Sequence, residues 1–219
     1  MPDDRVRDMR RSYESAGIDE GDLAGDWVTQ LRRWVDDAVA ADLVEPNWMV
    51  LATADSRGRP SARSVLLKGY DDRGLTLFTN FDSRKGREAA ANPYASLVIP
   101  WIPLQRQVVV VGAVERADPA EADDYFALRP HGSQLGAVAS PQSAVIGSRA
   151  ELAADWERLA QQYPEGTPVP RPAHWGGLRV VPETVEFWQG RRDRLHDRLR
   201  YRRVVDGPRR GWIVERLAP

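Results

Sequence analysis

The sequence predicts a mainly β protein with helical additions, built as a split or closed antiparallel barrel. Three observations carry this expectation. Short segments rich in β-branched and aromatic residues recur at close spacing between turn-forming clusters of Asp, Gly and Pro. Their order is helix, five strands interrupted by a helix, a helical insertion and then about four strands, which suits an antiparallel barrel better than a parallel sheet. No repeat, low-complexity tract or dividing linker interrupts the 219 residues, enough for one sizeable core. The expected organisation is a polar arm over 1–22 and one domain over 23–219, with the helical insertion at about 118–163.

After the arm, Trp27, Leu31, Trp34, Val35 and Val39 recur at helical spacing and predict an amphipathic helix. From Trp48 the pattern changes to W-M-V-L-A-T-A, S-A-R-S-V-L-L-K-G-Y and L-T-L-F-T-N, separated by D-S-R-G-R-P and D-D-R-G, the pattern of a three-stranded meander. D-S-R-K-G-R-E-A-A-A-N-P opens on the capping residues Asp82 and Ser83 and stops before Pro93, as a short helix does. Two longer strands follow, Y-A-S-L-V-I-P-W-I and Q-R-Q-V-V-V-V-G-A-V-E-R. Asp118-Pro119-Ala120-Glu121 has the form of a capping box with proline at the first helical position, and its helix runs through Y-F-A-L-R to a stop before Pro130. Further helix is expected at 133–139 and 149–163. Beyond the loop Y-P-E-G-T-P-V-P-R-P, the segments G-L-R-V-V, T-V-E-F-W, L-R-Y-R-R-V-V and W-I-V-E-R-L read as strands, the last two joined at Asp206-Gly207.

With 31 basic and 32 acidic residues the net charge is −1, which argues against a general nucleic-acid or anionic-membrane binder. The absence of cysteine excludes disulfides and thiolate chemistry, and three scattered histidines do not suggest a metal site. M-P-D-D-R-V-R-D-M-R-R lacks the apolar core of a signal peptide, and no run of about 18 apolar residues occurs, so a cytoplasmic chain without a membrane partner is expected. Only two of the basic residues are lysines, Lys68 and Lys85.

Positive charge is concentrated locally. D-S-R-K at 82–85 sets a helix N-terminus beside two cations, an arrangement that suits a phosphate and equally describes a capped surface helix. R-S-V-L-L-K at 63–68 ends an apolar strand in Lys68, with Arg63 facing the other side in regular alternation; this is either an anion contact or a charged sheet rim. Tyr125 and Arg129 are spaced i, i+4 with Ser133 just beyond, which makes a phosphate clamp or a helix C-terminus with a favourable cation. Gln107 and Q-S at 142–143 are uninformative alone. If 194–200 is extended, Arg194, His196, Arg198 and Arg200 share one face and Leu195, Leu199 and Tyr201 the other, so a cationic face backs an apolar one. That face reads as a site for a multiply anionic ligand or as a solvated surface part-neutralised by Asp193 and Asp197.

In this order, R-S-V-L-L-K (63–68), F-T-N-F-D-S-R-K (78–85), Q-R-Q-V (105–108), Y-F-A-L-R-P-H-G-S-Q-L-G-A (125–137), S-P-Q-S (140–143), F-W-Q-G (187–190), R-L-H-D-R (194–198) and R-L-A-P (216–219) resemble the pyridoxamine 5′-phosphate oxidase family of flavin enzymes. M-R-R-S-Y (9–13) is similar to the family's mobile N-terminal lid. The resemblance implies a homodimer of split β-barrels with FMN at the subunit interface. It implies FMN contacts from Arg63, Ser64, Val65, Leu66, Leu67, Lys68, Phe78, Thr79, Arg84, Lys85, Gln107, Gln142, Ser143, Trp188 and Arg198. It also implies that Lys68, Tyr125, Arg129 and Ser133 hold the substrate phosphate, that Arg194, Leu195 and His196 line the pyridine ring, and that Arg10, Arg11, Ser12 and Tyr13 close over it. In the implied catalytic roles, Arg194 and His196 orient the ring and assist proton movement.

The activity implied is oxidation of pyridoxamine 5′-phosphate and pyridoxine 5′-phosphate to pyridoxal 5′-phosphate, with O2 as acceptor, H2O2 as product and NH3 released from the amine. Departures from the family pattern are Phe78 where tyrosine is common, His131-Gly132-Ser133 in place of a more basic segment, and A-G-D-W before the first helix where relatives carry a proline. Alternatives are a split-barrel flavin or deazaflavin reductase, for which R-L-H-D-R and Y-x-x-x-R-x-x-x-S have no use, and a non-catalytic protein that binds FMN or pyridoxal phosphate.

Overall fold

The computed structural model describes residues 9, 12–14, 16–205 and 211–219. Among the described residues nine strands lie in one sheet: β1 (Trp48–Ala54), β2 (Pro60–Leu66), β3 (Gly69–Asp71), β4 (Gly74–Asn80), β5 (Tyr94–Trp101), β6 (Arg106–Arg116), β7 (Trp175–Gln189), β8 (Asp197–Val204) and β9 (Gly211–Arg216). The ladder order is β2-β1-β5-β6-β7-β4-β3, with β8 paired to β7 and β9 to β8. Among the described residues five α-helices accompany it: α1 (Trp27–Ala40), α2 (Arg84–Ala91), α3 (Pro119–Leu128), α4 (His131–Ala139) and α5 (Arg149–Gln162). Among the described residues no helix is long and apolar enough to cross a membrane.

The chain forms two compact units, one of Leu51–Ser96 with Gly112–Val181 and one of Met1–Val50, Leu97–Val111 and Pro182–Pro219. In the first unit, β4 pairs antiparallel with β7 from Leu75 opposite Val180 to Asn80 opposite Trp175. Phe126, Leu135, Leu159, Val169 and Trp175 form a buried cluster under α3, α4 and α5. Helix α2 begins where Ser83 Oγ accepts from Gly86 N at 3.3 Å. Gly86 is required there, because a Cβ would lie 2.2 Å from the Phe81 carbonyl oxygen. This close seat fixes where Arg84 and Lys85 leave the helix.

In the second unit, Asp26 caps α1 by accepting from Thr29 N at 2.8 Å. The helix buries Trp27, Leu31, Trp34 and Ala38, and the Trp34 ring meets Phe187 edge-on at 5.1 Å. Val39 is 59% exposed, so the buried stripe passes through Ala38 rather than the expected valine. Leu199 and Tyr201 of β8 are fully buried, and Tyr201 donates its hydroxyl to Ala24 O at 2.6 Å.

Several expectations need correction. The stretch 61–70 is two strands, β2 and β3, broken at Leu67-Lys68, and β2 is not a ladder neighbour of β4, so the three-strand meander does not form. Alternation reveals a strand but not its partner, and β4 takes β7, a pairing distant in sequence. The two strands expected on either side of Pro182 are one, β7, because the proline falls between the β4 ladder, whose last β7 residue is Val180, and the β8 ladder, which starts at Thr184. Asp118 caps α3 through Ala120 N, but Glu121 does not close a box; it turns to Arg179 at 2.8 Å and to Arg73 at 3.0 Å. The expected turn at Asp206-Gly207 lies outside the described residues.

Candidate active site

In the first unit a cavity of about 840 Å³ opens between β2, the end of β4, the start of α2 and the segment from Tyr125 to Ser143. It brings together fourteen of the sequence-predicted positions: Arg63, Ser64, Val65, Leu66, Lys68, Phe78, Thr79, Arg84, Lys85, Tyr125, Arg129, Ser133, Gln142 and Ser143. Its lining includes Arg63, Lys68, Arg84, Lys85 and Arg129 and no acidic residue. Such a wall selects for anions.

The cations differ in what already holds them. Lys85 is buried, and its Nζ donates to Gln142 Oε1 at 2.8 Å and to Ser83 Oγ at 3.4 Å. Burial, and secondarily the charge of Arg63, brings its pKa down from 10.5 to about 8. Thr79 Oγ1 also donates to Gln142, at 3.3 Å, and Ser143 adopts a left-handed φ of 72° at this bend. Lys68 Nζ lies 5.7 Å from the Tyr125 ring centre.

Tyr125 stacks on Phe78 at 4.3 Å, and Phe78 in turn lies 5.5 Å from a nearly parallel Trp175. The guanidinium of Arg129 rests 5.0 Å from the Trp175 ring centre. Arg129 is not on the same helix face as Tyr125, as the i, i+4 spacing suggested: α3 ends at Leu128 and Arg129 is extended, at φ −70° and ψ 147°. It reaches the cavity through a bond from Nη2 to Ser133 O at 2.9 Å. Among the described residues its Nε is buried with no hydrogen-bond partner. With the ammonium groups of Lys68 and Lys85, this set fits phosphate-bearing ligands such as FMN. His131, by contrast, is tied to Tyr163 O at 2.9 Å.

The second unit holds a smaller cavity of about 410 Å³ that brings together Ser12, Tyr13, Trp188, Arg194 and His196. His196 lies against Trp188 with ring centres 4.6 Å apart and against Tyr13 at 5.8 Å. Gly190 makes room for Tyr13, since a Cβ would lie 2.7 Å from its ring. His196 Nδ1 accepts from Arg191 N at 3.1 Å, which leaves the proton on Nε2. Burial, then the charge of Arg194, lowers its pKa, with Asp197 opposing, so the ring is a neutral donor.

The extended face expected over 194–200 is absent in that form. Residues 192–194 make a 3-10 turn with Asp193 and Arg194 at φ 55° and 61°, and β8 begins only at Asp197. Leu195 is 68% exposed and lines neither cavity. The cations of β8 are not unopposed either: Arg198 pairs with Glu186 at 2.7 Å and Arg200 with Glu215 at 2.6 Å. Those carboxylates come from β7 and β9, which residue alternation within one segment could not reveal. Arg198, Gln107 and the buried Leu67 also line neither cavity. Arg10 and Arg11 lie outside the described residues.

Three residues of the site were not anticipated. Trp175 supplies the ring beneath Arg129, and nothing in its sequence neighbourhood marks it. Arg191 sets the His196 tautomer through its backbone. Glu88 pairs with both Arg84, at 2.8 Å, and Arg63, at 3.2 Å; its position four residues after Arg84 on a helix was the available signal.

Comparison with known proteins gives one family from sequence profiles and from curated relatives, and its fold from solved structures. Residues 35–163 match the sequence profile described as pyridoxamine 5′-phosphate oxidase, and residues 175–219 match that of the pyridoxine 5′-phosphate oxidase C-terminal dimerisation region. A pyridoxine/pyridoxamine 5′-phosphate oxidase of Salinispora arenicola is 58% identical over 96% of this chain and 95% of its own. One from Burkholderia multivorans is 54% identical over 98% and 99%. Among solved structures, PhzG from Burkholderia lata, in complex with tetrahydrophenazine-1-carboxylic acid, superposes with a TM-score of 0.84 at 35% identity, covering 91% of this chain and 95% of that one. A pyridoxamine 5′-phosphate oxidase-related FMN-binding protein from Nostoc punctiforme shares the fold at a TM-score of 0.67 and 18% identity, covering 90% and 99%.

Proposed function

Because this chain belongs to the pyridoxine/pyridoxamine 5′-phosphate oxidase family, we propose that it oxidises pyridoxamine 5′-phosphate and pyridoxine 5′-phosphate to pyridoxal 5′-phosphate. FMN is the proposed cofactor; when bound it supplies the two-electron acceptor and passes the electrons to O2, giving H2O2. The observation that carries this reading is the larger cavity, where cations line the wall without an acid among them and Arg129 Nε stands buried and unpartnered.

The residues divide the work by what each can donate. Lys85 and Arg84, with the hydroxyls of Thr79 and Ser143, offer a seat for the FMN phosphate at the start of α2. Arg129, Lys68, Tyr125 and the Ser133 hydroxyl offer one for the substrate phosphate, each charge-assisted bond contributing roughly 1.5–3 kcal/mol when sheltered. The neutral His196 and the Arg194 guanidinium hold the pyridine ring and its oxygen by donation, with Nε2–H of His196 the available proton. Ser12 and Tyr13 exclude water above them. In this reading the active form is a homodimer with FMN at the interface, in keeping with the dimerisation region matched at 175–219.

A second reading follows from the likeness to PhzG: oxidation of a reduced polycyclic carboxylate lacking phosphate. Tyr125, Arg129 and Ser133 favour the phosphorylated substrate. The test is to load the protein with FMN, exclude oxygen and add pyridoxamine 5′-phosphate or unphosphorylated pyridoxamine. Bleaching of the flavin band by the phosphate ester alone, reversed by air with pyridoxal phosphate formed, is expected. FMN binding without bleaching would point to a reductase or a binding protein instead.

A further inference from the structure

The backbone around Gly17 is fastened to both ends of the loop that carries Arg194 and His196. Arg191, at one end, donates from Nη1 to Ala16 O, and the same nitrogen lies 3.6 Å from Asp197 Oδ2. Asp197, at the other end, accepts from Ile18 N at 3.1 Å through Oδ2 and from Arg216 Nη1 at 2.9 Å through Oδ1. Arg216 continues outward to Asp19 and Glu20, at 2.8 Å each. Only glycine fits at the centre. Gly17 sits at φ 86°, and a Cβ there would collide with the Arg191 guanidinium and lie 2.6 Å from Asp197 Oδ2. Just upstream, Tyr13 meets His196 at 5.8 Å and the edge of Trp188 at 6.0 Å between ring centres. Ring contacts of this kind are too weak by themselves to offset the entropy of ordering the segment that carries Tyr13.

We propose that Arg191 is a positioning residue for substrate oxidation: its side chain latches residues 16–18 so that Tyr13 is seated over the second cavity. Its backbone N–H meanwhile holds His196 Nδ1 at 3.1 Å, so one residue ties the cover of that cavity to the histidine that lines it. The two halves of the role are separable, because a side-chain change removes the latch and leaves the N–H on His196. A guanidinium suits the latch, since its planar fork can serve a carbonyl and a carboxylate together. The Arg191 side chain is 42% exposed, which limits what the pair with Asp197 contributes to stability. Its loss should therefore be felt in substrate capture before it is felt in the fold. This assignment rests on reading the second cavity as the seat of the pyridine ring.

The test is steady-state oxidation of pyridoxamine 5′-phosphate by the FMN-loaded full chain as wild type, R191M, R191K, Y13A and R191M/Y13A. R191M is expected to raise KM about three- to tenfold with kcat within about twofold of wild type. R191K, which can still donate to Ala16 O and pair with Asp197, should bring KM back to within about twofold. In the Y13A background the R191M penalty should fall below about twofold, because the latch then has nothing to seat. G17A, which drives a methyl group into the guanidinium, should raise KM as R191M does. A KM unmoved by R191M, or a penalty undiminished in the Y13A background, overturns the proposal. So does an R191M loss of FMN affinity and melting temperature that R191K does not restore, because that marks a general structural role. If wild type shows no turnover, the proposed activity fails and the latch is read from hydrogen exchange in the flavin-free chain. Faster exchange of the Ile18 amide in R191M but not in R191K then supports the latch, and equal exchange in all three proteins overturns it.

Discussion

Lys85 Nζ donates to the side-chain oxygen of Gln142 at 2.8 Å, so a buried ammonium is met by an amide where an ion pair would be ordinary. A neutral amide stabilises the charge less than a carboxylate does, and it leaves room for an incoming anion to supply the difference. The lowered pKa, about 8 in place of 10.5, is the mark of that unmet demand.

FMN affinity should therefore depend on pH. Below about 8 Lys85 is charged and the phosphate binds fully; above it, affinity is expected to fall by up to tenfold per pH unit while riboflavin affinity stays flat. The flavin-free protein should behave oppositely. Between about 8 and 10.5 the unfolded chain binds more protons at this lysine than the folded one, so stability contributed by this group rises with pH. Lys85→Met should abolish both effects, read by fluorescence titration and by melting.

Arg129→Lys keeps the charge but loses Nε and the planar contact with Trp175. The expected result is a rise in KM for pyridoxamine 5′-phosphate of about ten- to a hundredfold, with FMN affinity unchanged. Equal loss of both would place Arg129 on the cofactor instead.

His196 should show itself in the acid limb of the rate profile. Burial and Arg194 lower its pKa, so the neutral ring persists at pH 7; only below the ordinary histidine range does protonation of Nδ1 break its bond from Arg191 N, which should displace the ring and lower kcat. His196→Ala is expected to lower kcat about a hundredfold or more and to remove that limb. Retention of the limb would assign it to another group.

Arg179 is nearly fully buried and pairs with Glu121 at the first turn of α3. Glu121→Gln leaves that guanidinium with Glu115, at 3.4 Å, as its remaining carboxylate and should destabilise the chain by about 1–3 kcal/mol in chemical denaturation. The double change Arg179→Met with Glu121→Leu should recover most of it, because desolvation of the buried charge is removed with the pair.

Local chemistry was legible in the sequence where one segment contains its own cause. Ser83 caps α2 and Pro130 ends α3 because caps and breakers act within a few residues. Fourteen of the positions picked out by the motifs line the larger cavity, whereas Leu67, Gln107, Trp188 and Arg198 do not. What failed had a distant cause. Glu186 and Glu215 neutralise Arg198 and Arg200 from neighbouring strands, and Trp175 reaches Arg129 across the buried cluster. The 192–194 turn, with Asp193 and Arg194 at positive φ, breaks an alternation that composition alone would continue.

The two lysines of the chain, Lys68 and Lys85, both line the larger cavity. Amine chemistry is thus confined, apart from the terminal α-amine, to one wall of the protein. An acylating reagent becomes a footprint of that wall: the masses of intact protein labelled with and without ligand would count how many amines the ligand shields. Lys85, with a pKa near 8, should react early, since far more of it is unprotonated at neutral pH than of an ordinary lysine. No mutation is needed for the measurement, because the arginines that crowd the rest of the sequence are silent to such reagents.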